Sequence, residues 1–95
     1  MPLSARQRQA LLAASHTLKP TATLSADGLT EAAVEHVRAS FTGRELLKVR
    51  IHADSGAECD AAAEELARRL PCALVKRLGR VAVLYRPSPD ADPSA

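Results

Sequence analysis

The sequence predicts a small α/β (α+β) domain in the order αβαβαββ, with a mixed four-stranded sheet packed against helices. Three observations carry this reading. Three stretches begin on a helix-capping residue and continue with apolar side chains at helical spacing. The run from Leu46 to Ala53 alternates apolar with polar residues, and two strand segments, Cys72 to Leu78 and Val81 to Arg86, flank Gly79-Arg80. Right-handed crossovers through the second and third helices should make the first strand pairs parallel, and the last two strands should form an antiparallel hairpin.

Ser4-Ala5-Arg6-Gln7 has capping-box spacing, so a first helix is expected from about Ser4 to Ser15, with Leu11, Leu12, Ala14 and, beyond it, Leu18 as its apolar stripe. Pro20 blocks its continuation, and Thr21 to Ser25 reads as the first strand. Thr30 is a good N-cap, Glu31 suits the positive end of the helix dipole, and Leu29 and Val34 stand at the spacing of a hydrophobic staple. The second helix therefore runs from Glu31 to about Thr42, burying Val34, Val37 and Phe41, with Gly43 as its C′ residue. In the next strand Leu47, Val49, Ile51 and Ala53 point one way and Lys48, Arg50 and His52 the other, which leaves one basic face. Ser55-Gly56-Ala57-Glu58 is a second capping box, followed by the stripe Cys59, Ala62, Ala63, Leu66 and Leu70, and Pro71 ends this third helix. Cys72 to Leu78 and Val81 to Arg86 complete the sheet, which Pro87 ends.

Composition narrows the class. With 95 residues, 46% hydrophobic and 25% charged, one soluble domain over residues 1–87 is expected, with 88–95 as a disordered acidic, Pro-containing tail. No run approaches the roughly 20 apolar residues that cross a bilayer, and the N-terminus lacks the order of a secretory signal, so a cytoplasmic protein without a membrane partner is expected. Cys59 and Cys72 do not form CxxC and read as packing residues rather than a disulfide or a metal site. Without Asp90 and Asp92 of the tail, thirteen bases face nine acids, and ten of those bases are Arg, which suits forked contacts to phosphate.

Chemistry-bearing motifs are sparse. There is no Walker sequence, no Gly-rich dinucleotide turn, no HExxH and no GxSxG. His16, His36 and His52 fall on different elements without a common spacing, and Glu64 and Glu65 diverge on a helix as a solvated face. The turn from Ser25 to Gly28, which opens into the helix capped by Thr30, points unpaired N–H groups at one place. It can receive a phosphate or serve simply as a turn.

Four segments taken in order carry a resemblance: Leu18-Lys19-Pro20, then Asp27-Gly28-Leu29-Thr30-Glu31, then Glu45-Leu46-Leu47-Lys48-Val49-Arg50, and finally Gly79 with Leu84-Tyr85-Arg86-Pro87. From Leu3 to Pro87 the chain resembles a stand-alone bacterial CRM domain of the YhbY type. The resemblance implies a fold similar to the C-terminal domain of bacterial translation initiation factor three, RNA binding, and association with precursors of the large ribosomal subunit. Plant organelle relatives of the domain act in group II intron splicing. The family's GxxG loop, which resembles the backbone clamp of KH domains, maps to Ser25, Ala26, Asp27 and Gly28, with serine in place of the first glycine. Lys19, Lys48, Arg50 and Arg86 fall at family positions expected to face RNA, beside Thr30 at the helix start; their alternative role is a solvated sheet face. Tyr85 can stack on a base or pack through its ring, and packing is the expected role.

The expected function is therefore a monomeric, cofactor-free and non-enzymatic RNA-binding factor of large-subunit assembly. A protein-interaction module with a basic face is the first alternative, and a small-molecule enzyme using one of the three histidines is the second.

Overall fold

The computed structural model describes residues 3–86, so the expectation of a disordered tail lies outside the described residues. Seven elements follow the expected order: α1 (Ala5–Ser15), β1 (Pro20–Ser25), α2 (Glu31–Ser40), β2 (Leu46–His52), α3 (Gly56–Arg69), β3 (Ala73–Leu78) and β4 (Val81–Tyr85). The capping box of α1 forms in full between Ser4 and Gln7. That of α3 forms by half: the Ser55 hydroxyl accepts from the Glu58 N–H, while the Glu58 carboxylate reaches one residue further back, to the Asp54 N–H. The last turn of α2 tightens around its C-cap, Phe41, so Gly43 lies one residue beyond C′, where its φ of +78° turns the chain toward β2.

The strand order is β1-β2-β4-β3. β1 and β2 are parallel neighbours, as a crossover through α2 requires. The second crossover departs from the expected adjacency. It carries the chain past one strand position, and β4 fills the gap, antiparallel to both β2 and β3. Burial explains the choice: Ala82, Val83 and Leu84 are all fully buried, which suits a central strand covered on both faces, whereas Lys76 and Arg77 of β3 suit an edge. Pro20 likewise opens the other edge strand, where its missing N–H is harmless.

The two faces of the sheet are covered unequally. α2 and α3 pack on one face over Leu24, Leu47, Val49, Ile51 and Leu84, joined by Val34, Val37, Cys59, Ala63 and Leu66 in one core. α1 lies alone on the other face, across β3, β4 and β2. Its contact stripe passes through Arg8, Leu11, Leu12 and Ser15, so Ala14 turns outward and the fully buried residue is Ser15, whose hydroxyl donates to the Leu12 carbonyl. Arg8 donates to the carbonyls of Leu74 and Val75, beside the bulge between Leu74 and Lys76. A bulge leaves such groups without ladder partners, so this arginine has a structural task.

Candidate nucleic-acid interface

The turn after β1 is built almost wholly from its own backbone. Ala26 N–H donates to the His52 carbonyl at 2.9 Å, Gly28 N–H to the Ser25 carbonyl at 3.0 Å, and Thr30 N–H to the Gly28 carbonyl at 2.8 Å. The Ser25 hydroxyl accepts the Asp27 N–H at 3.3 Å, a bond that glycine at this position lacks. Thr30 caps α2 by accepting the Ala33 N–H at 3.1 Å, whereas the N–H groups of Glu31 and Ala32 find no acceptor among the described residues. Arg69 of α3 braces the junction, donating to the Leu29 carbonyl at 2.8 Å and to the Glu31 carboxylate at 2.7 Å. This pairing offsets the charge of Glu31, the one acid in the first turn of α2, while exposed Asp27 stands in the turn before it.

Gly28 has no positive φ, and a Cβ built on it would meet only the Ser25 Cβ, at 3.8 Å. The fold therefore does not require glycine here. Glycine keeps the surface low in front of the α2 N-terminus.

The basic residues read from the sequence divide between two ends of the sheet. Arg50 is exposed and sits between Thr23 of β1 and Val81 of β4. Two pairs nearer the turn, exposed His52 is opposite Ser25. Lys19 precedes β1, Lys48 is half-buried opposite Pro20 and Val83, and Arg86 follows β4 with its N–H on the Glu45 carbonyl. Because β1 and β2 run parallel and β4 runs against them, Lys19 and Arg86 stand at the end of β1 opposite the Gly28 turn; Lys19 is about 20 Å from Ser25 at ~3.3 Å per residue. Ser25, Ala26, Asp27, Gly28 and Thr30 form one continuous site with His52 and Arg50 beside it. Lys19, Lys48 and Arg86 form a second group.

The strand order also adds a residue that sequence reasoning treated only as part of a turn. The Arg80 carbonyl accepts the Ile51 N–H at 2.8 Å and its Nε donates to the Ala53 carbonyl at 3.1 Å, which fixes this base at the same end of the sheet as the Ser25–Gly28 turn. Only the antiparallel pairing of β4 with β2 brings it there, and no local pattern signals that pairing.

Charge is sorted between the faces. The four strands and α1 contain no Asp or Glu; the described acids lie on α2, on α3 and in loops. All four ion pairs of the described residues, Arg38–Glu35, Arg68–Glu65, Arg69–Glu31 and Arg77–Asp60, belong to the α2/α3 side. Glu65 is thus a paired, half-buried acid, whereas Glu64 is solvated as its spacing suggested. Beside the turn, between it and α3, lies a recess of about 360 Å³ edged by Asp27, Glu58 and Glu65. A second recess, lined by Ser25, Asp27, His52, Ala53, Asp54 and Glu58, brings acids to the His52 side of the turn as well, so the strand surface clear of carboxylates begins at Arg50.

The three histidines stand apart, at the C-cap of α1, on the outer face of α2 and at the end of β2, all exposed. Cys59 and Cys72 are both buried, and burial pushes the Cys72 thiol up to about 12. The hydrogen bond that Arg77 donates to the Asp60 carboxylate raises its guanidinium further above the ordinary value. Tyr85 is half-buried between Leu46 and Ala73, at the end of the sheet away from the turn.

The sequence profile of the CRS1 / YhbY (CRM) domain matches residues 3–86. The chain belongs to the CRM domain family. A Haemophilus influenzae relative named "RNA-binding protein" is 32% identical over 89 residues, covering 94% of this chain and 90% of that protein. A Pseudomonas aeruginosa relative is 28% identical over 89 residues, covering 94% of this chain and 86% of its own. The fold is similar to the solution structure of a Staphylococcus aureus protein, with a TM-score of 0.82 and 25% identity over 92% of this chain and 91% of that one. In this CRM domain the Ser25 hydroxyl is an internal hydrogen-bond acceptor of the turn after β1.

Proposed function

We propose that this CRM-domain protein is a non-enzymatic, monomeric RNA-binding factor that engages structured ribosomal RNA during assembly of the large subunit in the cytoplasm. The observation that carries the reading is the sorting of charge: bare bases and an anion-receptive turn share one side of the sheet, and the carboxylates stand on the other side or in loops. The Ser25–Gly28 turn takes a phosphate at the start of α2, and Arg50, with Arg80 nearby, takes phosphates further along the backbone. Lys19, Lys48 and Arg86 supply a second footprint at the far end of the sheet, suited to a folded RNA that spans both. Affinity comes from phosphate and selectivity from shape and 2′-hydroxyls, because the single Phe is buried and the single Tyr half-buried.

With about four phosphates neutralised, log affinity falls against log salt with a slope of roughly −3 to −4. A flat salt titration contradicts the footprint. In cells the protein is expected to sediment with precursors of the large subunit in a nuclease-sensitive manner, and its loss to reduce mature large subunits. Normal subunit profiles in the cold and a nuclease-resistant complex with one protein would instead favour a protein-binding module.

A further inference from the structure

The register aligns Leu78 of β3, Val81 of β4, Arg50 of β2 and Thr23 of β1 as successive opposite partners. Directly opposed residues share a face, so these four side chains form one row across the whole sheet, about 14 Å long at ~4.8 Å per strand. The row lies on the α1 side, yet α1 does not reach it. In the neighbouring row Val83 is fully buried beneath the helix, whereas here Arg50 and Thr23 are exposed, Val81 is half-buried and Leu78 is 40% exposed. Leu78 is the one large hydrophobic side chain exposed among the described residues. An isolated exposed leucine needs no explanation, but this one adjoins a second apolar side chain and then an arginine.

The hairpin that carries Leu78 is held in place. Arg77 donates from Nη1 to the Gly79 carbonyl at 2.6 Å while its other nitrogens are engaged by Asp60, and Arg80 is tied through Nε to Ala53. Gly79, with φ of +62°, allows the two-residue turn. The apolar step is thus presented on a rigid tip, so little ordering cost attends binding. Arg80 and exposed Lys76 flank it, and the four strands carry no carboxylate.

From this arrangement we infer that the row from Thr23 to Leu78 is a track for an unpaired RNA segment that continues from the Ser25–Gly28 turn to the hairpin tip, an inference that rests on the RNA-binding reading above. Leu78 and Val81 receive the face of an unstacked base or its ribose, Arg50 receives the intervening phosphate, and the Thr23 hydroxyl is placed to meet a 2′-hydroxyl. A duplex does not satisfy the apolar step, because it turns phosphates and sugars outward and keeps its base faces stacked.

The test compares a blunt RNA stem-loop with the same stem-loop carrying a short oligoadenylate extension, with the full chain titrated in each case. The wild type is expected to bind the extended RNA about tenfold more tightly. Leu78→Asn and, separately, Val81→Thr are expected to remove most of that preference while leaving affinity for the blunt stem-loop and the melting temperature unchanged. Tight but equal binding of both RNAs by the wild type overturns the track and leaves the RNA-binding reading standing, as does a preference that survives in both variants. Failure to bind either RNA overturns both, and displacement of the RNA by polyglutamate at matched charge assigns the face to an acidic protein instead.

Discussion

The two faces of the sheet were built for different purposes. Under α2 and α3 every strand contributes apolar side chains to one continuous core, and the acids and bases at its outer surface neutralise each other in ion pairs. Under α1 a single helix covers only β3, β4 and part of β2, one arginine is used to satisfy carbonyls beside a bulge, and the rest of the strand surface is left open, with no carboxylate on the strands themselves. The main core lies on the first face, and the proposed recognition surface on the second. The turn at Gly28 stands where the two faces meet, with acidic recesses beside it and Arg50 further along β2.

The largest effect that separates the faces is on stability. Leu66, fully buried on α3, is expected to cost about 2–5 kcal/mol when replaced by Ala, measured by denaturant unfolding, with RNA affinity of the folded fraction unchanged. Loss of affinity beyond the loss of folded protein would break the division. Next comes charge reversal on the open face. Lys48→Glu with Arg50→Glu is expected to weaken RNA binding by more than about tenfold and to flatten the salt slope by roughly 2 to 4 units, while Glu64→Lys on α3 leaves both nearly unchanged.

A smaller effect, near tenfold in affinity, is expected at the boundary itself. Because Gly28 has no positive φ and room for a Cβ, both Gly28→Glu and Gly28→Asn should fold with little change in melting temperature. Gly28→Glu should bind RNA poorly and Gly28→Asn should retain most of the affinity; wild-type affinity in both would make the turn purely structural.

The smallest effect at neutral pH lies in the core. The Cys72 thiol has its folded pKa raised from 9.0 to about 12, so the folded protein holds its proton where the unfolded chain releases it. Stability should therefore be indifferent to this group below pH 9 and fall as pH rises from 9 toward 12, more steeply than in Cys72→Ala. An identical alkaline profile in the variant would show that the thiol is not held neutral by the fold.

How much of this was legible in the sequence follows from the range of each signal. Caps at Ser4, Thr30 and Ser55, the alternation through Lys48 and Arg50, and the Gly79-Arg80 turn are local, and each marks its element within a residue or two. The place of β4 between β2 and β3 depends on which strand can be buried on both faces, and that is settled by competition among strands far apart in the chain. The candidate site divides in the same way. The turn and Arg50 are legible, but the separation of Lys19 and Arg86 from Gly28 follows only from parallel pairing, and Arg80 joins the site only through the register of β4. Arg8 resembles a surface base until the bulge at Val75 gives it two carbonyls to satisfy.

The central claim, that recognition belongs to the open face and its bordering turn, is tested most directly by amide NMR of the labelled protein during titration with a structured ribosomal RNA fragment. The largest perturbations are expected at Ser25 to Glu31, Thr23, Arg50, His52 and Arg80, with a second set at Lys19 and Arg86 and little change through α3 from Cys59 to Leu66. Perturbations concentrated on the exposed side of α3 around Ala61, Glu64 and Arg68, with the turn and β2 unmoved, would contradict it.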